Sequence, residues 1–91
     1  MLTIERTAQF KRDFKRMLRQ GVDAKLFKEL VAKLANEEKL DAKHKDHALK
    51  GNLAGYRECH ITPDWLLVYR VINDELILTL ARTGSHSYLF G

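Results

Sequence analysis

The chain has 91 residues, of which 45% are hydrophobic and 31% charged, a composition typical of one soluble globular domain over residues 1–91. A single cysteine excludes an intramolecular disulfide, and no apolar run is long enough for a membrane span or a signal peptide, so we expect a cytoplasmic protein without membrane contact. Residues 1–50 carry 13 Lys/Arg against 8 Asp/Glu (+5), and residues 51–91 carry 3 against 4 (−1). The basic half suits an acidic partner such as nucleic acid, although lysine-rich solvated helices give the same pattern.

The first half of the chain predicts a short strand followed by two helices. Apolar and polar residues alternate over residues 2–5, and Thr7 is suited to cap a helix. Gly21 is suited to end that helix, and Asp23 to begin a second one. The short connection predicts an antiparallel helical hairpin. The apolar stripes of the two helices are Phe10, Phe14, Met17 and Leu18, and then Leu26, Phe27, Leu30, Val31 and Leu34.

The second half predicts a sheet. Residues 36–52 lose periodicity and gain charge, which indicates a loop or a frayed helix end, and the tail 86–91 has the length of a short last strand. Between them we predict three strands, at 54–61, 65–72 and 75–82, with turns at Thr62-Pro63 and Asn73-Asp74. The predicted fold class is therefore α+β: a short N-terminal strand, an antiparallel helical hairpin packed on one sheet face, and an antiparallel β-meander.

Four histidines lie in loops or near strand ends, at positions 44, 47, 60 and 86. His44 and His47 are three apart, but no Asp, Glu or Cys lies at a recognisable ligand spacing, so we predict neither a metal nor another cofactor. Cys59 points away from His60 along a strand, on the same face as an apolar residue, which predicts a buried, inert thiol rather than a nucleophile.

Acid–base chemistry on a phosphodiester fits these residues better. Cleavage of RNA needs a base for the 2′-hydroxyl proton, an acid for the leaving 5′-oxygen and a cation for the transition-state charge. Histidine can fill either proton role, and arginine matches phosphate bidentately. The proline turn places His60 and Asp64 at its two ends, and a Thr-Gly-Ser turn after Arg82 would fold His86 back beside it. Taken singly, each histidine is more often a surface residue than a catalyst, so we expect a site only where these segments meet.

Four segments of the second half carry a more specific pattern: Lys45-Asp46-His47-Ala48-Leu49-Lys50-Gly51, Gly55-Tyr56-Arg57 with His60, Pro63-Asp64-Trp65 running into Val68-Tyr69, and Arg82-Thr83-Gly84-Ser85-His86 with Leu89-Phe90-Gly91. In these segments, in the Thr7 and Phe10 helix start and in its length, the chain resembles the RelE superfamily of bacterial toxins, specifically the YafQ branch. It departs from that pattern at Ala48, where a proline is expected, and at Glu58, where an aspartate is expected.

The resemblance implies a RelE-like microbial ribonuclease fold and a ribosome-dependent endoribonuclease that cuts mRNA in the ribosomal A site. It implies as partners the 70S ribosome, mRNA and a cognate antitoxin that silences the toxin, with operator DNA bound only through the antitoxin complex. It implies His86 as general acid, Arg82 as phosphate clamp and Phe90 as a base-contacting ring. The base and substrate-orienting groups it implies are His47, His60 and Asp64, among which the base stays open. The basic residues of the first helix then contact ribosomal RNA phosphates: Lys11, Arg12, Lys15, Arg16 and Arg19.

Two other classes of function remain open at this point. A non-catalytic RNA-, ribosome- or protein-binding module of the same fold predicts ribosome binding without cleavage. A metal-binding domain predicts stoichiometric zinc in the purified protein.

Overall fold

The computed structural model describes residues 1–91 and contains one five-stranded sheet with strand order β1-β5-β4-β3-β2. The strands are β1 Thr3–Arg6, β2 His47–Ala48, β3 Arg57–Thr62, β4 Trp65–Ile72 and β5 Ile77–Gly84. The helices are α1 Ala8–Arg19, α2 Ala24–Ala35 and α3 His86–Phe90, with short 3₁₀ turns at Ala42–His44, Gly51–Leu53 and Asn73–Glu75. No helix combines the length and the apolar character needed to cross a membrane.

Both predicted helix starts are confirmed. The Thr7 hydroxyl accepts a 2.9 Å hydrogen bond from the amide of Phe10, and the Asp23 carboxylate accepts one of 2.9 Å from the amide of Lys25. Each satisfies an amide that has no partner within its own helix. Gly21, just beyond the end of α1, has a φ of +87°, a conformation that glycine adopts without strain.

The core lies between the helical hairpin and the sheet, with aromatic rings at its centre. Phe14 and Phe27 have ring centroids 4.7 Å apart, and they lie 6.4 and 6.2 Å from the ring of Trp65. Trp65, the first residue of β4, is 1% exposed, and its indole N–H donates to the Thr83 hydroxyl at 2.8 Å. This hydrogen bond fixes the end of β5 against the start of β4.

The meander β3-β4-β5 is antiparallel as predicted, but the sheet as a whole is mixed because β1 pairs with β5 in parallel. In the chain, β1 and β5 are separated by the helical hairpin and then by β2, β3 and β4. The short strand β2 falls in the segment 36–52 that the sequence indicates as a loop or frayed helix end. It pairs antiparallel with β3, so the chain around His47 has sheet geometry.

Three other predictions about the second half are wrong in detail. The hairpin turn lies at Pro63–Asp64, because Thr62 still pairs with Trp65. The third strand of the meander, predicted at 75–82, begins and ends two residues later, because Asn73–Glu75 forms a 3₁₀ turn. The tail is a helix, α3, rather than a strand: the Ser85 hydroxyl caps it by accepting from the amide of Tyr88 at 3.1 Å.

Candidate active site

Two histidines share one buried carboxylate at the β2–β3 edge of the sheet. His47 is the register partner of Glu58, and His60 lies two residues further along β3 on the same face. Both imidazole Nε2 atoms are 3.7 Å from Glu58 Oε1, which is ion-pair range rather than hydrogen-bond range. Glu58 itself is 5% exposed. Both imidazoles therefore face one largely desolvated carboxylate.

The tautomer of His47 follows from its other ring nitrogen. Nδ1 lies 2.7 Å from the carbonyl oxygen of Lys45, and because a carbonyl can only accept, Nδ1–H is the donor. The neutral imidazole then carries its lone pair on Nε2, the atom that faces Glu58. His47 is half exposed, with a side-chain exposure of 51%, so its ring is accessible to a substrate.

The segment that carries His47 is anchored through its neighbour Asp46. The Asp46 carboxylate accepts a hydrogen bond of 2.6 Å from the Tyr69 hydroxyl and one of 3.3 Å from Arg57 Nε. Burial and the adjacent Asp46 charge both raise the pKa of Tyr69, so its hydroxyl stays protonated and acts as a donor. On the preceding 3₁₀ turn, His44 Nδ1 lies 2.7 Å from the carbonyl oxygen of His60 and so links that turn to β3.

A second cluster surrounds Arg82 on β5. Its guanidinium donates from Nε to Asp13 Oδ2 at 2.7 Å and from Nη2 to Oδ1 at 3.3 Å. Asp13, on α1, is 0% exposed. Burial alone would raise the pKa of this carboxyl, but hydrogen bonds from Arg82, Gln9 and the Thr83 amide outweigh it and lower the pKa below its usual value. The same contact raises the pKa of Arg82, so the pair is ionised at neutral pH.

Asp13 is a site residue that the sequence prediction missed. Its position carried a signal, because it lies three residues after Phe10 and four before Met17 and therefore falls within the apolar stripe of α1. A charged residue on a buried helix face requires a partner of opposite charge.

The short helix α3 presents two of the predicted site residues to solvent. His86 and Phe90 lie one turn apart with ring centroids 5.4 Å from each other, and both are exposed. Tyr88, between them, points back into the molecule and donates from its hydroxyl to Asp13 Oδ1 at 3.1 Å. A Cβ at Gly84 would come within 2.6 Å of the Tyr88 ring, so this close approach requires glycine.

The two clusters lie in the same rows of the sheet but do not touch. Across the strands, the successive register partners are His47, Glu58, Val68 and Arg82, and in the next row on the same face, two residues further along β3, they are His60, Leu66 and Gly84. With neighbouring strands about 4.8 Å apart, the Cα atoms of His60 and Gly84 are roughly 10 Å apart. Asp64, at the exposed hairpin tip, takes part in no side-chain hydrogen bond or ion pair. The structure therefore joins His47 with His60, and Arg82 with α3, and leaves Asp64 outside both clusters.

The basic residues of α1 form one continuous face. At about 100° per residue, the five side chains fall within roughly 140° of the helix circumference, opposite the buried stripe. All five are exposed, and the only acidic residue of α1 is the buried Asp13. The Arg16 guanidinium lies 4.3 Å from the Tyr88 ring centroid, so this face continues directly into the Arg82 cluster. The five residues are Lys11, Arg12, Lys15, Arg16 and Arg19.

Comparison with known proteins places the chain in a family. The model of the family described as the bacterial toxin of type II toxin–antitoxin systems, YafQ, matches residues 2–91. The chain belongs to the YafQ toxin family. The mRNA interferase toxin YafQ of Escherichia coli K12 is 40% identical over 89 residues, which cover 97% of this chain and 95% of that protein. The resemblance seen in the sequence is thereby confirmed.

Solved structures of YafQ-family and related toxins share the fold. The crystal structure of the E. coli DinJ–YafQ complex matches with a TM-score of 0.90 and 37% identity and covers 100% of both chains. A metal-bound toxin from Helicobacter pylori matches with a TM-score of 0.93 and 50% identity, covering 99% of this chain and 100% of that one. The α+β fold predicted from the sequence is therefore shown.

The two departures from the expected YafQ pattern have different consequences. Glu58 occupies the position where an aspartate is expected, and its carboxylate lies between two imidazoles, so the departure falls at the centre of the histidine cluster. Ala48 is exposed and pairs with Arg57 in β2. The neighbouring His47 is held by the Lys45 carbonyl, which requires no proline at position 48.

The histidine cluster does not form a finished metal centre. No group of three or more His, Cys, Asp and Glu side chains is arranged to hold a metal ion. The 3.7 Å separations around Glu58 exceed the roughly 3.3 Å between ligand atoms that tetrahedral bonds of about 2.0–2.1 Å impose. Cys59 is 0% exposed and contributes no ligand, and burial raises the pKa of its thiol to about 12.

Proposed function

We propose that this protein is an endoribonuclease toxin that cleaves mRNA on the ribosome and is held inactive by a cognate antitoxin. Membership of the YafQ family and 40% identity to an mRNA interferase toxin support the reaction class. The relative crystallised as the DinJ–YafQ complex supports an antitoxin partner. Contact with operator DNA would then occur only through the toxin–antitoxin complex.

The observation that carries the proposal is that His47 and Arg82 lie in one row of register partners across the sheet, with His60 in the next row on the same face. In the reaction, the ribose 2′-oxygen attacks the adjacent phosphorus and gives its proton to a base. The bond from phosphorus to the 5′-oxygen breaks, and an acid protonates that oxygen. The products are a 2′,3′-cyclic phosphate and a 5′-hydroxyl end, and no metal or other cofactor enters the balance.

The geometry favours His47 as the base among the three candidates that include His60 and Asp64. Its Nε2 carries the lone pair in the neutral form, and the ring is accessible. Glu58 then stabilises the imidazolium once the 2′-hydroxyl proton has been taken up. His60 contacts the same carboxylate but is less exposed, which suits orientation of the substrate better than proton uptake.

On the other side of the site, Arg82 supplies the cation. Asp13 engages Nε–H and one N–H of Nη2, which leaves the N–H groups of Nη1 and the second one of Nη2 for a phosphate oxygen. His86 would donate the proton to the leaving 5′-oxygen, and the exposed Phe90 ring beside it would stack on a base.

Ribosomal RNA is the partner proposed for the basic face of α1. Five cations with no exposed acid between them suit contacts to successive phosphates. Because such contacts release counterions, binding to the 70S ribosome should weaken steeply as salt rises, and each Lys→Ala or Arg→Ala change on this face should reduce the salt slope by about one.

The deciding experiment maps mRNA 5′ ends on programmed ribosomes with the wild type, His86→Ala and Ser87→Ala. Ser87 is exposed on the same helix and provides the matched control. We expect 5′-hydroxyl ends within the reading frame for the wild type and Ser87→Ala, and a loss of at least 100-fold for His86→Ala. Intact wild-type protein that binds ribosomes without cutting mRNA would instead support the non-catalytic module.

Metal binding by the histidine cluster is a second candidate, favoured by the two imidazoles that flank Glu58. A relative with 50% identity has been crystallised in a metal-bound form. The side chains would have to close by a few tenths of an ångström around an ion. Titration with Cu²⁺ or Zn²⁺, repeated with His47→Ala and His60→Ala, tests this. Binding of one ion that both substitutions abolish supports it, and binding that neither affects excludes this cluster.

A further inference from the structure

The buried carboxylate of Asp13 accepts five hydrogen bonds, of which the Arg82 guanidinium that neutralises its charge supplies two. Oδ1 accepts from Gln9 Nε2 at 2.9 Å, from Tyr88 Oη at 3.1 Å and from Arg82 Nη2 at 3.3 Å. Oδ2 accepts from Arg82 Nε at 2.7 Å and from the Thr83 amide at 3.2 Å. An ionised carboxylate offers about four lone-pair sites, so all are occupied. Asp13 has no capacity left to take a proton from a substrate.

The donors come from three separate elements. Gln9 lies on α1 with Asp13, the Arg82 and Thr83 groups lie on β5, and Tyr88 lies on α3. The α3 helix has five residues, which is too short to be stable in isolation. Its position depends on tertiary contacts, and the Tyr88 hydroxyl on Asp13 is one that ties it to the rest of the molecule.

We propose that Asp13 is a positioning residue for the cleavage reaction: it fixes the direction of the Arg82 guanidinium and, through Tyr88, the position of the helix that carries His86 and Phe90. The inference rests on the proposed function. It assigns one buried carboxylate the task of setting the distance between the phosphate clamp and the acid. Arg82 and Tyr88 also lie close, with the guanidinium carbon 5.7 Å from the ring centroid, so a change at Asp13 reaches both.

The test uses the full-length protein and compares Asp13→Asn, Arg82→Ala and the double variant in ribosome-dependent cleavage, with rates corrected for the folded fraction. Asparagine keeps the shape of the side chain but removes the charge and turns one acceptor into a donor. Because a shift of about 1 Å in a catalytic group costs up to 100-fold, we expect kcat to fall 10- to 100-fold with little change in KM. The double variant should lose less than the product of the two single losses, because the part of the Asp13 effect that acts through the guanidinium is already absent in Arg82→Ala, whereas the part that acts through Tyr88 remains.

A second measurement reads the position of Arg82 without any activity. The Arg82 Nε–H should give a distinct, exchange-protected NMR signal in the wild type, and Asp13→Asn should move it to the position of solvent-exposed arginines. Gln20→Ala changes an exposed residue at the end of α1 that makes no side-chain contact with Asp13, so it should leave that signal and the cleavage rate within about twofold of wild type. If Asp13→Asn does not fold, Tyr88→Phe replaces it and should lower kcat several-fold without raising KM.

The possible failures are distinct. A wild type that does not cleave mRNA defeats the proposed function, whereas the NMR signal still tests the positioning. An unchanged Arg82 signal in Asp13→Asn overturns the inference. So does a double variant whose loss equals the product of the two single losses, because the residues would then act independently.

Discussion

Replacement of Thr83 by valine tests the hydrogen bond that joins the core to the site. The Thr83 hydroxyl accepts from Trp65 Nε1 at 2.8 Å and donates to the Leu66 carbonyl at 2.6 Å. Thr83 and Leu66 are 0% exposed and Trp65 is 1% exposed, so water cannot replace the lost partner. Valine has nearly the same shape but can neither donate nor accept.

The expected loss follows from these two contacts. A buried indole N–H without an acceptor costs about 1–3 kcal/mol, and the lost hydroxyl–carbonyl bond adds about 1 kcal/mol. The free energy of unfolding of a domain of this size is about 5–14 kcal/mol, so a loss of roughly 2–4 kcal/mol is a large share of it. It corresponds to a fall in Tm of roughly 8–30 °C.

Thermal and urea unfolding followed by circular dichroism measure this loss, and Thr83→Ser is the matched control. Serine retains the hydroxyl and loses only a methyl group, for which we expect about 1 kcal/mol. The valine variant should therefore be clearly less stable than the serine variant. If serine destabilises the protein as much as valine does, packing of the methyl group rather than the hydroxyl holds β5 against β4, and the reasoning fails.

Three further outcomes follow from the perturbed ionisable groups. With its pKa raised to about 12 by burial, Cys59 should resist iodoacetamide at pH 8 in the native protein and react once urea unfolds it; rapid native labelling detected by mass spectrometry would contradict this. Asp13 has a lowered pKa when folded, so the unfolded chain binds more protons in acid. Its contribution to stability should be complete above the unfolded pKa of about 3.9 and lost as pH falls through the folded value; urea midpoints between pH 2 and 6 should lose this dependence in Asp13→Asn. Tyr69→Phe removes a donor to Asp46 and should lower the free energy of unfolding by about 1 kcal/mol, and an unchanged urea midpoint would show that this contact does not anchor β2.

Local chemistry allowed much of the fold to be predicted from the sequence. Thr7 and Asp23 cap their helices through side chains that contact amides two or three residues away, and such contacts depend on the local sequence alone. The parallel pairing of β1 with β5 joins residues more than seventy positions apart, and no periodicity within either strand specifies it. The sequence predicts a strand for the tail, but contacts of Tyr88 with Gly84 and Asp13 stabilise a helix in a segment too short to show helical periodicity.

The residues of the candidate site likewise divide into those that the sequence predicts and those that depend on contacts between distant parts of the chain. The proton-transfer and phosphate-binding residue types could be predicted because the chemistry of RNA cleavage restricts them. Their neighbours could not, because the contact of Glu58 with His47 depends on the β2–β3 register and not on sequence spacing. Likewise, Arg82 lies opposite Val68 only because the β4–β5 ladder shifts its register by one residue between Val68 and Tyr69.

The carboxylates of this basic protein explain why its site can present so much positive charge. Asp13 and Glu58 are buried, with side-chain exposures of 0% and 7%, whereas Asp46 is partly exposed at 27%, and each is directed at a group that the proposed reaction uses or at the segment carrying it. Their negative charges orient the cations from inside, where the low dielectric strengthens each contact. The outer surface of α1 and the free edge of Arg82 are left without competing acids. A polyanion such as RNA therefore encounters the cationic side of the Arg82–Asp13 pair, while the buried anionic side keeps the geometry fixed.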